Sequence, residues 1–80
     1  MLNELKTAKK VVGIKQLRKA LKGGTARTVF LARNADPRLT EAIEAQCREQ
    51  TIPCEWVETM AELGEACGID VGAAAAALLS

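Results

Sequence analysis

Apolar residues recur along the chain in short groups, and their spacing alternates between extended and helical patterns. The stretch Thr28 to Ala32 is almost continuously apolar, which is typical of a strand covered on both faces, so we place it in the centre of a sheet. Val11-Val12 predicts a short strand ended by Gly13, and Ile52 to Val57 predicts another. No linker or internal repeat interrupts this alternation.

Two helices are predicted before Gly24. The first is capped by Asn3, and its apolar stripe consists of Leu5, Ala8 and Val12. The second ends at Gly23-Gly24, and its buried face consists of Ile14, Leu17, Ala20 and Leu21.

Two more helices are predicted in the second half. Asp36 caps one of them and is followed by Pro37, which suits the first helical position; its apolar stripe consists of Leu39, Ile43 and Cys47. Thr59 and Glu62 form a capping box for the other; this helix carries Met60, Leu63 and Cys67 and ends at Gly68.

The alanine-rich segment Ala73 to Ala77 has two interpretations. Alanine has the highest helix propensity, but a run of small side chains also suits a strand squeezed between helices, where packing outweighs propensity. Because strands and helices alternate in either case, the pattern favours an α/β fold with three layers, an α/β/α sandwich.

Length and composition limit the class of protein. A chain of 80 residues fits one domain, 1–80. A domain of this size buries about 60% of the surface of its unfolded chain, which is enough for one modest core. With 49% hydrophobic and 26% charged residues the composition is globular. No apolar run approaches the roughly 18 residues of a membrane span, and the charged first ten residues lack a signal-peptide core. We therefore expect a cytoplasmic protein with no membrane partner.

The net charge of +1 conceals two halves of opposite charge. Residues 1–40 contain ten Lys and Arg against two acidic residues, a net +8, whereas residues 41–80 contain one Arg against eight acidic residues, a net −7. Such asymmetry favours one basic face, which suits a polyanion, although a solvated surface explains it about as often.

The composition offers few residues suited to a metal site or to catalysis. The three cysteines form no C-x-x-C pair, the chain has no histidine, and no Ser or Thr lies in a nucleophile-elbow pattern. The cysteines are best interpreted as small buried hydrophobes in a reducing compartment. We expect no metal, no cofactor and no catalytic residues.

The second predicted helix carries the strongest functional signal. Lys15, Lys19 and Lys22 lie at i, i+4 and i+7, hence on one face with Arg18 beside them. No acidic residue in the helix offsets their repulsion. Because Gly13 precedes the helix, free backbone amides and the helix dipole would add to this attraction for phosphate.

The kind of anion can be narrowed by what the chain lacks. The only aromatic residues, Phe30 and Trp56, lie in apolar strand contexts, so a base-stacking surface is missing. Gly23-Gly24 lacks the lysine and hydroxyl of a phosphate-binding loop and is interpreted as a helix end. A helix start that offers lysine and glutamine to base edges suits folded RNA better than plain duplex RNA, whose deep major groove excludes it.

Three segments together resemble one known family. They are residues 13–21 (GIKQLRKAL), Ala35-Asp36-Pro37, and residues 63–75 (LGEACGIDVGAAA). In order and separation they are similar to the kink-turn RNA-binding ribosomal proteins of the L7Ae/L30e superfamily, above all its short bacterial members. The resemblance implies a four-stranded mixed sheet in the order 1-4-2-3, with the alanine run as an antiparallel strand 4.

The resemblance also implies the roles of individual residues. The helix start would dock on the tandem sheared G·A pairs of a kink-turn; its residues are Gly13, Ile14, Lys15, Gln16 and Lys19. Asp36 would accept a hydrogen bond from a flipped-out base. The loop Ile69, Asp70 and Val71 would enclose that nucleotide together with the Asp-Pro turn.

The chain departs from the family pattern at Lys15-Gln16, where many members have Asn-Glu. The acceptor facing the guanine N–H groups is thus an amide oxygen rather than a carboxylate. Hydrogen bonds to charged groups contribute about 1.5 to 3 kcal/mol and neutral ones about 1 kcal/mol, but a glutamate would also repel phosphates. We expect affinity and preference among kink-turns to differ, with no effect on the fold.

Two functions of different class follow from the sequence. The favoured one is a non-catalytic, monomeric RNA-binding protein that stabilises kink-turns in ribosomal or regulatory RNA, with the ribosome as a further candidate partner. The alternative is a protein interaction module on the same fold, which would use the acidic stretch from Glu41 to Glu65 against a basic partner.

Overall fold

A computed structural model of the protein describes residues 5–80. Strands and helices alternate along this part of the chain, as the sequence pattern predicts. Their order is β1 (Lys10–Val12), α1 (Ile14–Lys22), β2 (Ala26–Ala32), α2 (Pro37–Gln50), β3 (Cys54–Val57), α3 (Met60–Cys67) and β4 (Ala75–Leu79).

The four strands form one mixed sheet in the order β1-β4-β2-β3. Strand β2 pairs with β3 in parallel, whereas β4 runs antiparallel to both of its neighbours, β1 and β2. The predicted sheet order and the central position of β2 are therefore confirmed.

The alanine-rich segment is a strand, as the family resemblance implies. Ala75, Ala76 and Ala77 are fully buried, because β4 lies between two strands and is covered on both faces. Hydrogen bonding on both edges and burial on both faces outweigh the helix propensity of alanine, which differs from that of other residues by less than about 1 kcal/mol.

Helices cover both faces of the sheet and define three layers. Val29 and Leu31 of β2 point to one side, where they pack with Leu17 of α1 and Ile43 of α2. The alternate residues of the strand point to the other side, into a cluster that includes Leu63 of α3. The period of two along a strand separates these two cores.

The prediction of a helix before β1 is wrong for the described residues. Residues 5 and 6 form a 3₁₀ turn, and turns and bends lead from there into β1; Asn3 lies outside the described residues. Leu5 is nevertheless fully buried, and Ala8 and Val12 pack against the same cluster. The apolar residues are thus correctly placed in the core, but pairing of β1 from Lys10 onward leaves too few residues for a regular helix.

The predicted stripe of α2 is displaced by one residue at its start. Leu39 is 37% exposed, whereas Thr40 is 2% exposed and lies on the inner face with Ile43 and Cys47. At about 100° per residue, Thr40 and Cys47 point within roughly 20° of each other, but Leu39 and Cys47 differ by roughly 80°.

Candidate nucleic-acid interface

The start of α1 lies at the edge of the sheet, directly after β1. Gly13 has a positive φ of 101°, which favours glycine, and turns the chain from the strand into the helix. Its N–H donates to the Ala75 carbonyl of β4 at 2.8 Å, and its own carbonyl accepts from Leu17. Because glycine has no side chain to cap the helix, the N–H groups of the first turn remain available to a ligand.

Positively charged side chains follow from this start along α1. Lys15, Arg18, Lys19 and Lys22 are exposed, and Gln16 is exposed beside them. The first turn contains no acidic residue. These four cations line a groove between α1 and α2 whose apolar part is formed by Ile14 and Leu39. We call this surface the basic groove.

The Asp-Pro turn forms the start of α2. The Asp36 carboxylate caps the helix by accepting from the Arg38 N–H at 2.9 Å, which confirms the predicted cap. The Arg38 guanidinium also donates to this carboxylate, from Nε to Oδ1 at 3.3 Å and from Nη2 to Oδ2 at 2.9 Å. These hydrogen bonds from Arg38 lower the pKa of Asp36, so its carboxylate is ionised and able to accept at neutral pH.

A chain of hydrogen bonds joins this turn to α3 and to the loop before β4. The Asn34 Oδ1 accepts from the Met60 N–H at 2.8 Å, and the Met60 carbonyl accepts from the Ala73 N–H at 3.0 Å. The Ala32 N–H also donates to Ala74 at 2.9 Å. These bonds hold the Asp-Pro turn and the loop at the same end of the sheet, where β2 ends and β4 begins.

The loop between α3 and β4, residues 68–74, presents one largely exposed apolar side chain, Val71, to solvent. Gly68 ends α3 with a left-handed φ of 81°, and Val71 is 69% exposed. Asp70 is exposed as well. Ile69 is only half-exposed and packs against the core cluster around Leu63, so it is less accessible than the other two residues that the resemblance places around the nucleotide.

The buried glycine of α3 allows the loop to lie close to the helix. A Cβ on Gly64 would collide with the carbonyl oxygen of Val71 and would lie 3.0 Å from its carbonyl carbon. The Gly64 carbonyl also accepts from the Ile69 N–H at 3.1 Å. The position of Val71 therefore requires a residue without a side chain at Gly64.

The structure collects the predicted site residues at one end of the sheet. Gly13 donates to Ala75 at the start of β4, and Ala35 donates to Ala32 at the end of β2. The Asp36 turn and the Val71 loop are both bonded to Met60 at the start of α3.

Sequence reasoning missed three residues that build this arrangement. They are Arg38, Asn34 and Gly64. A glycine inside a helical pattern is the available signal for Gly64. Asn34 gives no local signal, because its partner is 26 residues away.

Neither aromatic residue presents a free stacking surface. Phe30 is 1% exposed in the core. Trp56 packs against the core cluster beneath α1 and α2, donates from Nε1 to Glu44 at 3.3 Å, and has the Arg33 guanidinium 5.7 Å from its ring centre. Base recognition at this surface would thus depend on hydrogen bonds and aliphatic contacts.

The described part of the chain contains neither a metal-ligand cluster nor a membrane-spanning helix. From residue 5 to residue 80, no three Cys, Asp or Glu side chains are grouped so that they could hold a metal ion. No helix in this range is long and apolar enough to cross a membrane.

Burial raises the pKa of the Cys54 thiol to about 12 and also raises that of Cys67, which keeps both thiols protonated.

Comparison with known families decides the classification. Residues 2–80 match the ribosomal protein L7Ae/L30e/S12e/Gadd45 family. The chain belongs to this family. The match covers both the basic groove and the loop of Val71, so the L7Ae family resemblance of the three sequence segments is confirmed.

Relatives of similar length are bacterial members of the L7Ae family. The chain is 46% identical over 68 residues to an RNA-binding protein of Halalkalibacterium halodurans, covering 85% of this chain and 83% of that protein. It is 44% identical over 75 residues to the RNA-binding protein YbxF of Geobacillus stearothermophilus, covering 94% and 92%. These are the short bacterial members that the sequence motifs resemble.

Solved structures share the fold over nearly the whole chain. The 15.5kD RNA binding protein of Giardia lamblia superimposes with a TM-score of 0.88 at 25% identity, covering 99% of this chain and 70% of that one. A Bacillus halodurans protein of unknown function gives the same TM-score at 23% identity, covering 99% and 83%. The α/β/α sandwich with its antiparallel fourth strand is thus the L7Ae fold.

Proposed function

We propose that this protein is a single-domain, non-catalytic RNA-binding protein that recognises and stabilises kink-turns. The observation that carries the proposal is the position of two different surfaces at one end of the sheet: a basic, uncapped helix start and a carboxylate turn beside an exposed valine loop. The RNA-binding relatives in the same family support RNA as the ligand.

The start of α1 supplies the contacts to the paired part of the RNA. Free first-turn N–H groups and the helix dipole favour phosphate. Gln16 offers an amide that can both donate to and accept from guanine edges, while Lys15 and Lys19 supply positive charge on either side of it. This combination suits the exposed edges of sheared G·A pairs flanked by backbone.

The Asp-Pro turn and the Val71 loop supply contacts to an extruded nucleotide. An ionised Asp36 accepts from a base N–H, and Val71 offers an aliphatic surface for the base or the ribose. Ile69, half-buried beneath the loop, supports this contact from below rather than making it.

Binding of this kind acts by selection of a conformation. The RNA alone exchanges between extended and bent states, and a protein that contacts both the G·A pairs and the extruded nucleotide binds only the bent one. It therefore shifts the population toward the kink without any covalent step. We place such RNA in the ribosome or in regulatory transcripts, in the cytoplasm, with the protein acting as a monomer.

The proposal is tested by a gel shift with two RNAs that differ only in the G·A pairs. We expect the parent kink-turn to bind at least tenfold more tightly than the RNA with mutated G·A pairs, because loss of the sheared geometry removes both the guanine edges and the bend. Equal affinity for the two RNAs would overturn the proposed function.

Replacement of Lys19 by alanine tests the charge of the basic groove. Lys19→Ala should weaken kink-turn binding about three- to tenfold and make the salt dependence shallower by roughly 0.9 logarithmic units per unit of log salt, since each neutralised phosphate contributes about that much in duplex DNA. Binding measured between about 50 and 200 mM salt provides both values.

Lys9→Ala is the matched control for this substitution. Lys9 is an exposed lysine whose carbonyl pairs with Leu79, at the opposite end of β4 from the loops. Its removal lowers the net charge by the same amount but should leave the slope unchanged. If both variants change the slope equally, the effect is one of net charge, and Lys19 makes no phosphate contact.

A further inference from the structure

Arg38 is held at the Asp-Pro turn by two hydrogen bonds from its guanidinium to Asp36, and most of the guanidinium donors have no partner among residues 5–80. Its side chain is 89% exposed, and two of its five guanidinium N–H donors bind the Asp36 carboxylate. The other three donors face no partner in the described structure. The guanidinium is thus fixed in position by one side and free to bind on the other.

The location of Arg38 is unfavourable for the helix that carries it. It is the second residue of α2, where the helix dipole is positive and an arginine is repelled. By contrast, Arg48 lies in the last turn of the same helix, where a cation is favoured, and it pairs with Glu44 four residues before it. Helix stability explains Arg48 but does not explain Arg38.

Arg38 also lies between the two surfaces of the proposed interface. Its carboxylate partner is Asp36, and the next residue in the chain, Leu39, lines the basic groove with Lys15 and Lys19. A phosphate located here would be attracted by the free guanidinium donors and by the groove lysines together. The carboxylate of Asp36 retains about one acceptor site for a base N–H, because a carboxylate has about four and Arg38 donates to three of them.

We propose that Arg38 binds a backbone phosphate of the RNA next to the extruded nucleotide, and that Asp36 holds its guanidinium in the position for this contact. The inference rests on the proposed function, because it places the RNA at the Asp-Pro turn. It gives Asp36 a second role: the carboxylate accepts from the base and also orients the arginine that neutralises the adjacent phosphate.

The opposite effect, in which Arg38 competes with the base for Asp36, would be small. An ion pair between exposed side chains contributes little to stability. Loss of the Arg38–Asp36 pair would therefore raise the RNA affinity of a variant without the arginine by no more than a few-fold. A phosphate contact changes both affinity and salt dependence, in the other direction. The sign of the effect and the slope therefore separate the two roles.

The test compares Arg38→Ala with Arg48→Ala on the same kink-turn RNA across a salt series. Arg38→Ala should weaken binding about three- to tenfold near 0.1 M salt and reduce the salt slope by roughly 0.9. Arg48→Ala removes an equally charged, exposed and ion-paired arginine from the other end of α2, and should change neither value. Arg38→Lys keeps the charge but loses the fork, so it should restore the slope and only part of the affinity.

Folding and specificity are measured on the same samples. Arg38→Gln, which retains the length of the side chain, should show the same loss as Arg38→Ala and secures the result if the alanine variant folds poorly. Unchanged or tighter binding by Arg38→Ala and Arg38→Gln, while the parent still prefers the intact G·A pairs, overturns the role of Arg38 alone. If the parent shows no such preference, the proposed function fails and this inference fails with it.

Discussion

Val71→Asp should reduce kink-turn binding by well over tenfold, more than about 1.4 kcal/mol, while the domain stays folded. The valine is 69% exposed in the loop before β4, so a carboxylate there remains in water and does not enter the core. In the complex the same carboxylate would lie beside phosphates, and the aliphatic contact with the extruded nucleotide would be lost. The melting temperature should remain within a few degrees of the parent value.

Two control variants separate charge from contact at this position. Val71→Thr is close in shape and uncharged, and should lose less affinity than the aspartate. Ala45→Glu adds a carboxylate at an exposed position in the middle of α2, and should bind nearly as the parent does. Binding is measured by titration of labelled RNA and folding by thermal circular dichroism.

Each contrary result for Val71→Asp has its own meaning. Unfolding would show that the residue belongs to the core, since a charge forced into an apolar interior commonly costs several kcal/mol. Normal binding by a folded variant would place the loop outside the RNA interface. The second result would leave the start of α1 and the Asp-Pro turn as the binding surface.

Gly64→Ala should produce the largest loss of stability, although alanine is the better helix former. The added Cβ would collide with the Val71 carbonyl and lie 3.0 and 3.1 Å from further backbone atoms of Val71 and Gly72, none of which can rotate away. The gain of up to about 1 kcal/mol in helix propensity is smaller than the cost of overpacking, typically 1–3 kcal/mol and more where backbone must move. We expect a fall in melting temperature of roughly 8 °C or more, and weakened RNA binding because the loop is displaced.

Gly23→Ala makes the same chemical change where the structure can accept it. Gly23 has an ordinary φ of −84° at the exposed end of α1, and an added Cβ there would lie 3.4 Å from the Lys19 carbonyl oxygen. Its melting temperature should stay close to the parent value or rise slightly. A Gly64→Ala variant as stable as Gly23→Ala would contradict the close approach of the loop to α3.

Local features of the chain account for most of the correct predictions. The cap at Asp36 and the capping residue Thr59 bind backbone N–H groups two and three residues away, so a sequence window of a few residues contains all the partners. The cation-rich face of α1 follows from helix geometry alone once Gly13 marks its start.

The incorrect predictions concern the direction of a side chain and the extent of an element. Leu39 is predicted on the buried stripe of α2 but is exposed, and Ile69 is predicted to enclose the nucleotide but packs against the core. The helix and the loop that carry them exist. An apolar side chain can point either to the core or to solvent at the end of an element, and the decision depends on which neighbour covers it. The missing helix before Lys10 has a similar cause, because pairing of β1 with β4 takes residues that the periodic pattern assigned to the helix.

The sequence by itself determined the alternation of strands and helices from Val11 onward, the caps at Asp36 and Thr59, the cation-rich face of α1 and, through its motifs, the L7Ae family. These depend on periodicity and on contacts within a few residues. The propensity of the alanines left helix and strand open, and only the family resemblance implied the strand that the fold contains. Only the tertiary structure decided that Val71 rather than Ile69 faces outward, and that Asn34, Met60 and Ala73 tie the turn to the loop. The physical reason is that each of these features depends on atoms far apart in the chain, whose approach only the folded packing brings about.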